Sequence, residues 1–187
     1  GDSHPHRHTH AAVDAARSLR DDYGVAAARI RAIRGVDEDH PLTLVCRDLA
    51  EISVYAKVDN RQFRLLKANT PGCYTFILEA TREVPKRLQH PKRKTVGLRV
   101  PDHPILQALL AELGGPLLST TLQLPGDDQP LNDPYDIRDL LERQVDLIVD
   151  GGYGDVDTTT VIDLSGETPV LVRAGKGDIQ PFGLEEE

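Results

Sequence analysis

The sequence predicts an α/β fold: a twisted, open sheet of mixed parallel and antiparallel strands with flanking helices. Two observations carry this. Short apolar runs of strand length alternate with segments of helical period along most of the chain. Near the end, three strand-like runs (VDLIVDGG, TTTVIDL and PVLVRAG) follow one another too closely for helical crossovers, so some neighbours must be antiparallel.

In chain order, Thr9 to Asp22 reads as a helix, with Ala12, Ala16 and Leu19 on one side. Gly24 interrupts, and VAAARIRAIR follows as a second helix with Ile30 and Ile33 inward and Arg31 and Arg34 outward or lateral. PLTLVCR is a buried strand with a proline at its start. DLAEIS and DNRQFRLLKAN each open with an aspartate able to accept backbone N–H bonds, a helix start signal. TPGCYTFILEAT begins with a Pro-Gly turn and continues as a strand rich in aromatic and β-branched residues. TVGLRV is another strand. DHPILQALLAELGG is a helix capped by Asp102 or His103, with Pro104 in its first turn and Gly114 at its end. PLLSTTLQL is a strand, and DPYDIRDLLERQ a helix started by Asp133 and Pro134.

A length of 187 residues suits one large core. The chain is therefore read as a single domain, 1–187, with residues 1–8 a loose terminus and 183–187 a polar tail. No apolar run approaches the roughly 18 residues of a membrane span. GDSHPHRHTH has no apolar stretch of the signal-peptide kind, so a cytoplasmic location and no membrane partner are expected. Cys46 and Cys73 lie in unrelated segments and read as reduced, partly buried residues. His4, His6, His8 and His10 alternate, but the sequence singles out no acid or cysteine as their partner, and a loose terminus is preferred to a metal site.

The net charge of −8 argues against wholesale coating of nucleic acid. Its distribution is uneven. Between Arg82 and Arg99 stand seven cations (Arg82, Lys86, Arg87, Lys92, Arg93, Lys94, Arg99) against Glu83 alone. Such a segment is either a local anion-binding face or a solvated loop. The common nucleotide loops, GxGxxG after a strand and GxxxxGK[ST], are absent, as are HExxH, GxSxG and paired cysteines.

What remains is a set of cations and hydroxyls at strand ends. Arg99 precedes a proline turn and a helix N-terminus, where it can grip a carboxylate or phosphate, or pair with a local acid. Ser119, Thr120 and Thr121 fall at the end of one strand, as phosphate ligands or as ordinary β-formers. DGGYGDVDTTT offers a glycine anion nest or a plain loop, and Arg173 ends a further strand.

Taken in order, RIRAIRGVDEDHPLTLVCRDL, NTPGCYTFILEA, TVGLRVPDHP, LGGPLLSTTLQLPG, VDLIVDGG, TTTVIDL and PVLVRAG closely resemble the YrdC/YciO family, in its YciO branch, over about Arg29 to Phe182. The resemblance implies a concave, positively charged sheet face. It implies the chemistry of threonylcarbamoyl-adenylate synthases, which join L-threonine, bicarbonate and ATP (with Mg) for modification of a tRNA adenosine. It implies RNA binding, to tRNA or double-stranded RNA, and no structural cofactor. A monomer or homodimer is expected.

By the same resemblance, Arg34 takes a lysine position of a Lys-x-Arg pair whose arginine is replaced by Val36. Thr121 keeps the hydroxyl of a Ser-x-Asn pair whose asparagine is replaced by Gln123. Arg99 matches the arginine that holds threonine, Thr159 and Thr160 a Ser-Thr pair near the phosphates, and Arg173 an arginine on the nucleotide or substrate. No catalytic side chain is assigned. Lys86, Arg87, Lys92, Arg93 and Lys94 are the expected RNA contacts.

The family's strand ending in Pro-Thr-Asp has no counterpart between AAVDAARSLRDDYG and VAAARIRAIR, a shortfall of about 20 residues judged by ordinary connection lengths. Two alternatives fit: a degenerate member, or a sequence from which the segment is left out. Three functions follow: a nucleotide- and RNA-binding protein, an active synthase, or a domain whose cations merely solubilise a loop.

Overall fold

The computed structural model describes residues 23–152 and 158–185. The expected N-terminal helix, the four alternating histidines and part of DGGYGDVDTTT lie outside these residues.

Helix α1 spans Tyr23–Arg34, and its Tyr23 and Ala27 are buried. Strand β1, Thr43–Val45, is the short core of PLTLVCR. Helix α2, Leu49–Tyr55, starts where Asp48 accepts from Glu51 N. Helix α3, Asn60–Asn69, starts with a capping box: Asp59 accepts from Gln62 N, and Gln62 accepts back from Asp59 N. Strand β2 is Tyr74–Glu79, and β3 is Thr95–Arg99. A 3₁₀ turn at Lys86–Leu88 lies between them.

Helix α4, Pro104–Leu113, is capped by His103 and closed by Gly114 at φ 68°, a conformation that suits glycine. Strand β4 is Leu117–Ser119. Helix α5, Pro134–Leu141, is capped by Asp133, whose side chain accepts from Tyr135 N. Strands β5, Thr160–Asp163, and β6, Val170–Arg173, complete the sheet. No helix among the described residues is long and apolar enough to cross a membrane.

The six strands run in the order β4-β1-β3-β2-β5-β6. β1 with β3 and β2 with β5 are parallel, while β1 with β4, β2 with β3 and β5 with β6 are antiparallel. This is the mixed open sheet that the sequence predicts.

Successive side chains on a strand face opposite ways. Leu44, Phe76, Leu78, Val96, Leu98 and Ile162 face one side and form the core with Ile52 of α2 and Leu66 of α3. Tyr74, Phe76 and Phe182 stack and tilt against one another, with centroids 5.2–5.8 Å apart. Full burial of each such side chain contributes about 1.5–3 kcal/mol. The alternate residues line the opposite face, which holds the candidate site.

VDLIVDGG departs from expectation. Residues 145–150 form no strand, and Leu147 and Val149 are exposed. A strand pattern makes a strand only beside a partner that takes its backbone hydrogen bonds, and among the described residues none is paired with this run. PLLSTTLQL is likewise shorter than expected, since only Leu117–Ser119 pair with β1.

Candidate anion-binding cavity

The sheet face opposite the core floors a cavity of about 1090 Å³. Its floor is Thr43 of β1, Thr75 and Ile77 of β2, Thr95, Gly97 and Arg99 of β3 and Val161 of β5. Arg31, Arg34 and His40 form one wall, residues 119–123 close the same side, and Thr158, Thr159 and Arg173 form the far wall. Two acids, Glu38 and Asp39, stand at the rim on the Arg34 side.

Arg99 is the most telling group. Its Nε is buried and has no hydrogen-bond partner. Burial pulls its pKa below the ordinary guanidinium value, with Cys73 opposing. A guanidinium stays charged even so. A buried charged donor without an acceptor is costly, and a ligand anion would supply the acceptor.

Arg34 is already engaged. Its Nε donates to Gln123 O at 3.1 Å, and its Nη1 donates to Thr120 Oγ1 at 2.8 Å and lies 3.1 Å from His40 Nε2. Arg31 donates through Nε and Nη2 to His40 O at 3.3 and 3.1 Å. The sequence places both arginines outward or lateral. They instead turn into the cavity wall, because the long loop after α1 returns His40 beneath them. Burial lowers the His40 pKa, and Arg34 and Arg31 lower it further, against a raising effect of Asp37.

On the far wall, Thr75 and Thr159 share a hydroxyl hydrogen bond at 2.8 Å. Arg173 donates through Nε and Nη2 to Thr159 O at 3.3 and 2.9 Å. Thr160 points the other way. It is fully buried, donates to Gly177 O at 2.7 Å and accepts from Gly175 N at 3.1 Å. Gly175 must be glycine here, since a Cβ would fall 2.3 Å from Thr158 O.

The fold thus brings Arg34, Arg99, Thr121, Thr159 and Arg173 around one cavity, while Thr160 packs beneath it. Sequence reasoning passed over His40, Arg31 and Thr75. Thr75 was detectable as a polar residue on the same strand face as Ile77, two positions along. Gln123, at the replaced asparagine position, spends its side-chain amide on Asp127 O at 2.7 Å.

The basic segment forms the adjoining surface. Lys86, Arg87, Lys92, Arg93 and Lys94 are all exposed. The turn carrying the last three is tightly built: His90 Nδ1 accepts from Lys92 N and Arg93 N at 3.2 and 3.1 Å, and Lys94 adopts φ 58°. Only Arg93 of the five lines the cavity. Cys46 is fully buried and Cys73 exposed, both as free thiols, so the expected reduced state fits both and the expected partial burial neither. No cluster of three or more metal-ligating side chains occurs among the described residues.

The chain is thus a mixed α/β-sheet protein with a cation-lined cavity on one sheet face. The chain belongs to the Sua5/YciO/YrdC family, whose profile, described as "Telomere recombination", matches residues 22–175. It is 58% identical over 157 residues to the uncharacterized protein YciO of Escherichia coli K12, covering 84% of this chain and 76% of that one. It is 31% identical over 157 residues to a threonylcarbamoyl-AMP synthase of Vibrio vulnificus, covering 82% and 83%. The crystal structure of E. coli YciO superposes with a TM-score of 0.84 at 49% identity, covering 97% of this chain and 95% of that one. P. abyssi Sua5 complexed with L-threonine superposes with a TM-score of 0.75 at 26% identity, covering 84% and 46%.

Proposed function

We propose that this is a YciO-like protein that binds a nucleotide in the cavity and RNA on the adjoining basic surface, acting in threonylcarbamoyladenosine modification of tRNA. The observation that carries the reading is the buried Arg99 Nε without an acceptor, set in a cavity whose other walls present threonine hydroxyls and arginines. A cavity of about 1090 Å³ is large for a simple inorganic ion and has room for a nucleotide. Arg99 holds an anionic group of the ligand, Thr121 and Thr159 offer hydroxyls, and Arg34 and Arg173 hold the walls. MgATP is the nucleotide. Lys86, Arg87, Lys92 and Lys94, which lie outside the cavity, meet RNA phosphates.

Thermal melts with increasing ATP test the cavity. Binding only the folded state at 100 times the dissociation constant stabilises it by about 2.7 kcal/mol, a rise of several degrees. No rise at millimolar ATP overturns the reading.

A second reading, active L-threonylcarbamoyladenylate synthesis, is favoured by the similarity to proteins named for that reaction. Arg99 then holds the threonine carboxylate, and catalysis rests on positioning and electrostatic stabilisation. Release of pyrophosphate from ATP that requires both L-threonine and bicarbonate is its test, and no release above the enzyme-free control rejects it.

A further inference from the structure

Arg93 belongs by sequence to the run Lys92-Arg93-Lys94, yet its side chain reaches the cavity and theirs do not. Its backbone is fixed by the His90 imidazole, which accepts from Arg93 N. Its Nη1 lies 3.9 Å from Asp163 Oδ2; the Arg93 side chain is 68% exposed and that of Asp163 only 15%. This is a single long contact. The other Asp163 oxygen already accepts from Ser165 N and Ser165 Oγ at 2.8 and 2.6 Å. A single contact of this length, with its cation exposed, is weak, whereas a phosphate offers a guanidinium two charge-assisted bonds.

The sheet register shows where this arm ends. Asp163 pairs with Ile77, Ile77 with Gly97, Gly97 with Thr43 and Thr43 with Ser119. That row crosses the cavity floor, and Arg99 stands one floor-facing step along β3, about 7 Å away. Between Asp163 and Arg99 the floor is Ile77 and Gly97, and Gly97 presents no side chain to obstruct a ligand.

We propose that Arg93 is an anion-binding arm of the cavity, which exchanges Asp163 for a phosphate of a ligand whose second anionic group is held by Arg99. The ligand class is a nucleoside polyphosphate, or a nucleotide with a carboxylate-bearing partner. This rests on the nucleotide reading above.

Isothermal titration with ATP, and separately with adenosine, tests it. Arg93→Ala is expected to weaken ATP about tenfold and leave adenosine unchanged. Asp163→Asn strengthens ATP binding in the wild-type background but not in an Arg93→Ala background. That coupling separates release of Arg93 from a general loss of negative charge. Arg64→Ala, on exposed α3 away from the cavity, is the control for net charge. If the wild type binds ATP and Arg93→Ala binds it equally well, the Arg93 assignment falls alone. If the wild type binds no ATP, the nucleotide reading and this proposal fall together. An Asp163→Asn gain that persists without Arg93 also overturns it.

Discussion

Arg34 Nη1 lies 3.1 Å from His40 Nε2, and Arg34 Nε donates to Gln123 O across 89 residues of sequence. The imidazole can accept from a guanidinium only while Nε2 carries no proton. Its folded pKa is lowered from 6.5, chiefly by burial. Below pH 6.5 the unfolded chain therefore binds more protons at this residue than the folded one. Its contribution to stability is full above pH 6.5 and falls as the pH drops through the folded value. Thermal melts from pH 7.5 to pH 5 should show His40→Gln with a flatter acid limb than the wild type. Parallel limbs would remove His40 from the acid response.

On the proposed reading, Arg99 trades stability for binding. Its buried Nε lacks an acceptor, so Arg99→Met, which keeps the bulk and removes the charge, should preserve or raise the melting temperature. A gain of about 1 kcal/mol corresponds to about 2–4 °C in a chain of this size. The same variant should lose the ATP-dependent rise in melting temperature. A variant that melts lower yet keeps that rise contradicts the assignment of Arg99 to the ligand.

Thr160 and Thr159 should separate by phenotype. Thr160→Val removes a buried hydroxyl that serves Gly177 O and Gly175 N, at a cost of about 1–3 kcal/mol in urea unfolding. Thr159→Val leaves the core intact and should act on ligand affinity. Equal loss of stability in both would mean that the far wall is purely structural.

The proposed RNA surface is testable through salt. Lys86→Glu with Lys92→Glu should weaken tRNA binding at low salt and lower the log–log salt slope by about two, roughly one per lost phosphate contact. ATP affinity should not follow the loss of RNA affinity. An unchanged slope would assign these lysines to solvation alone.

Much of the architecture could be read from the chain because its signals are local. Asp48, Asp59 and Asp133 announce helix starts through bonds spanning two or three residues, and Gly114 ends α4 through its own backbone angle. Strand alternation marks which residues of β2 and β3 share a face. The site was less legible. Thr159 and Thr160 are neighbours with opposite environments, and only the register of β5 decides which one faces the cavity. His40 gave no pattern, because its partners come from α1 by way of a loop. VDLIVDGG has the composition of a strand and pairs with no strand among the described residues.

Most of the element types, the mixed sheet and the position of the basic segment follow from periodicity, caps and charge over short spans of the chain, VDLIVDGG excepted. The tertiary structure decided the rest. Pairing β3 between β1 and β2 sets Arg99 on a cavity floor, the return of the 119–123 segment fastens Arg34 to Gln123, and the turn at His90 carries Arg93 from the basic run to the cavity. Each of these depends on contacts between distant residues, whose energies arise only once the sheet has assembled.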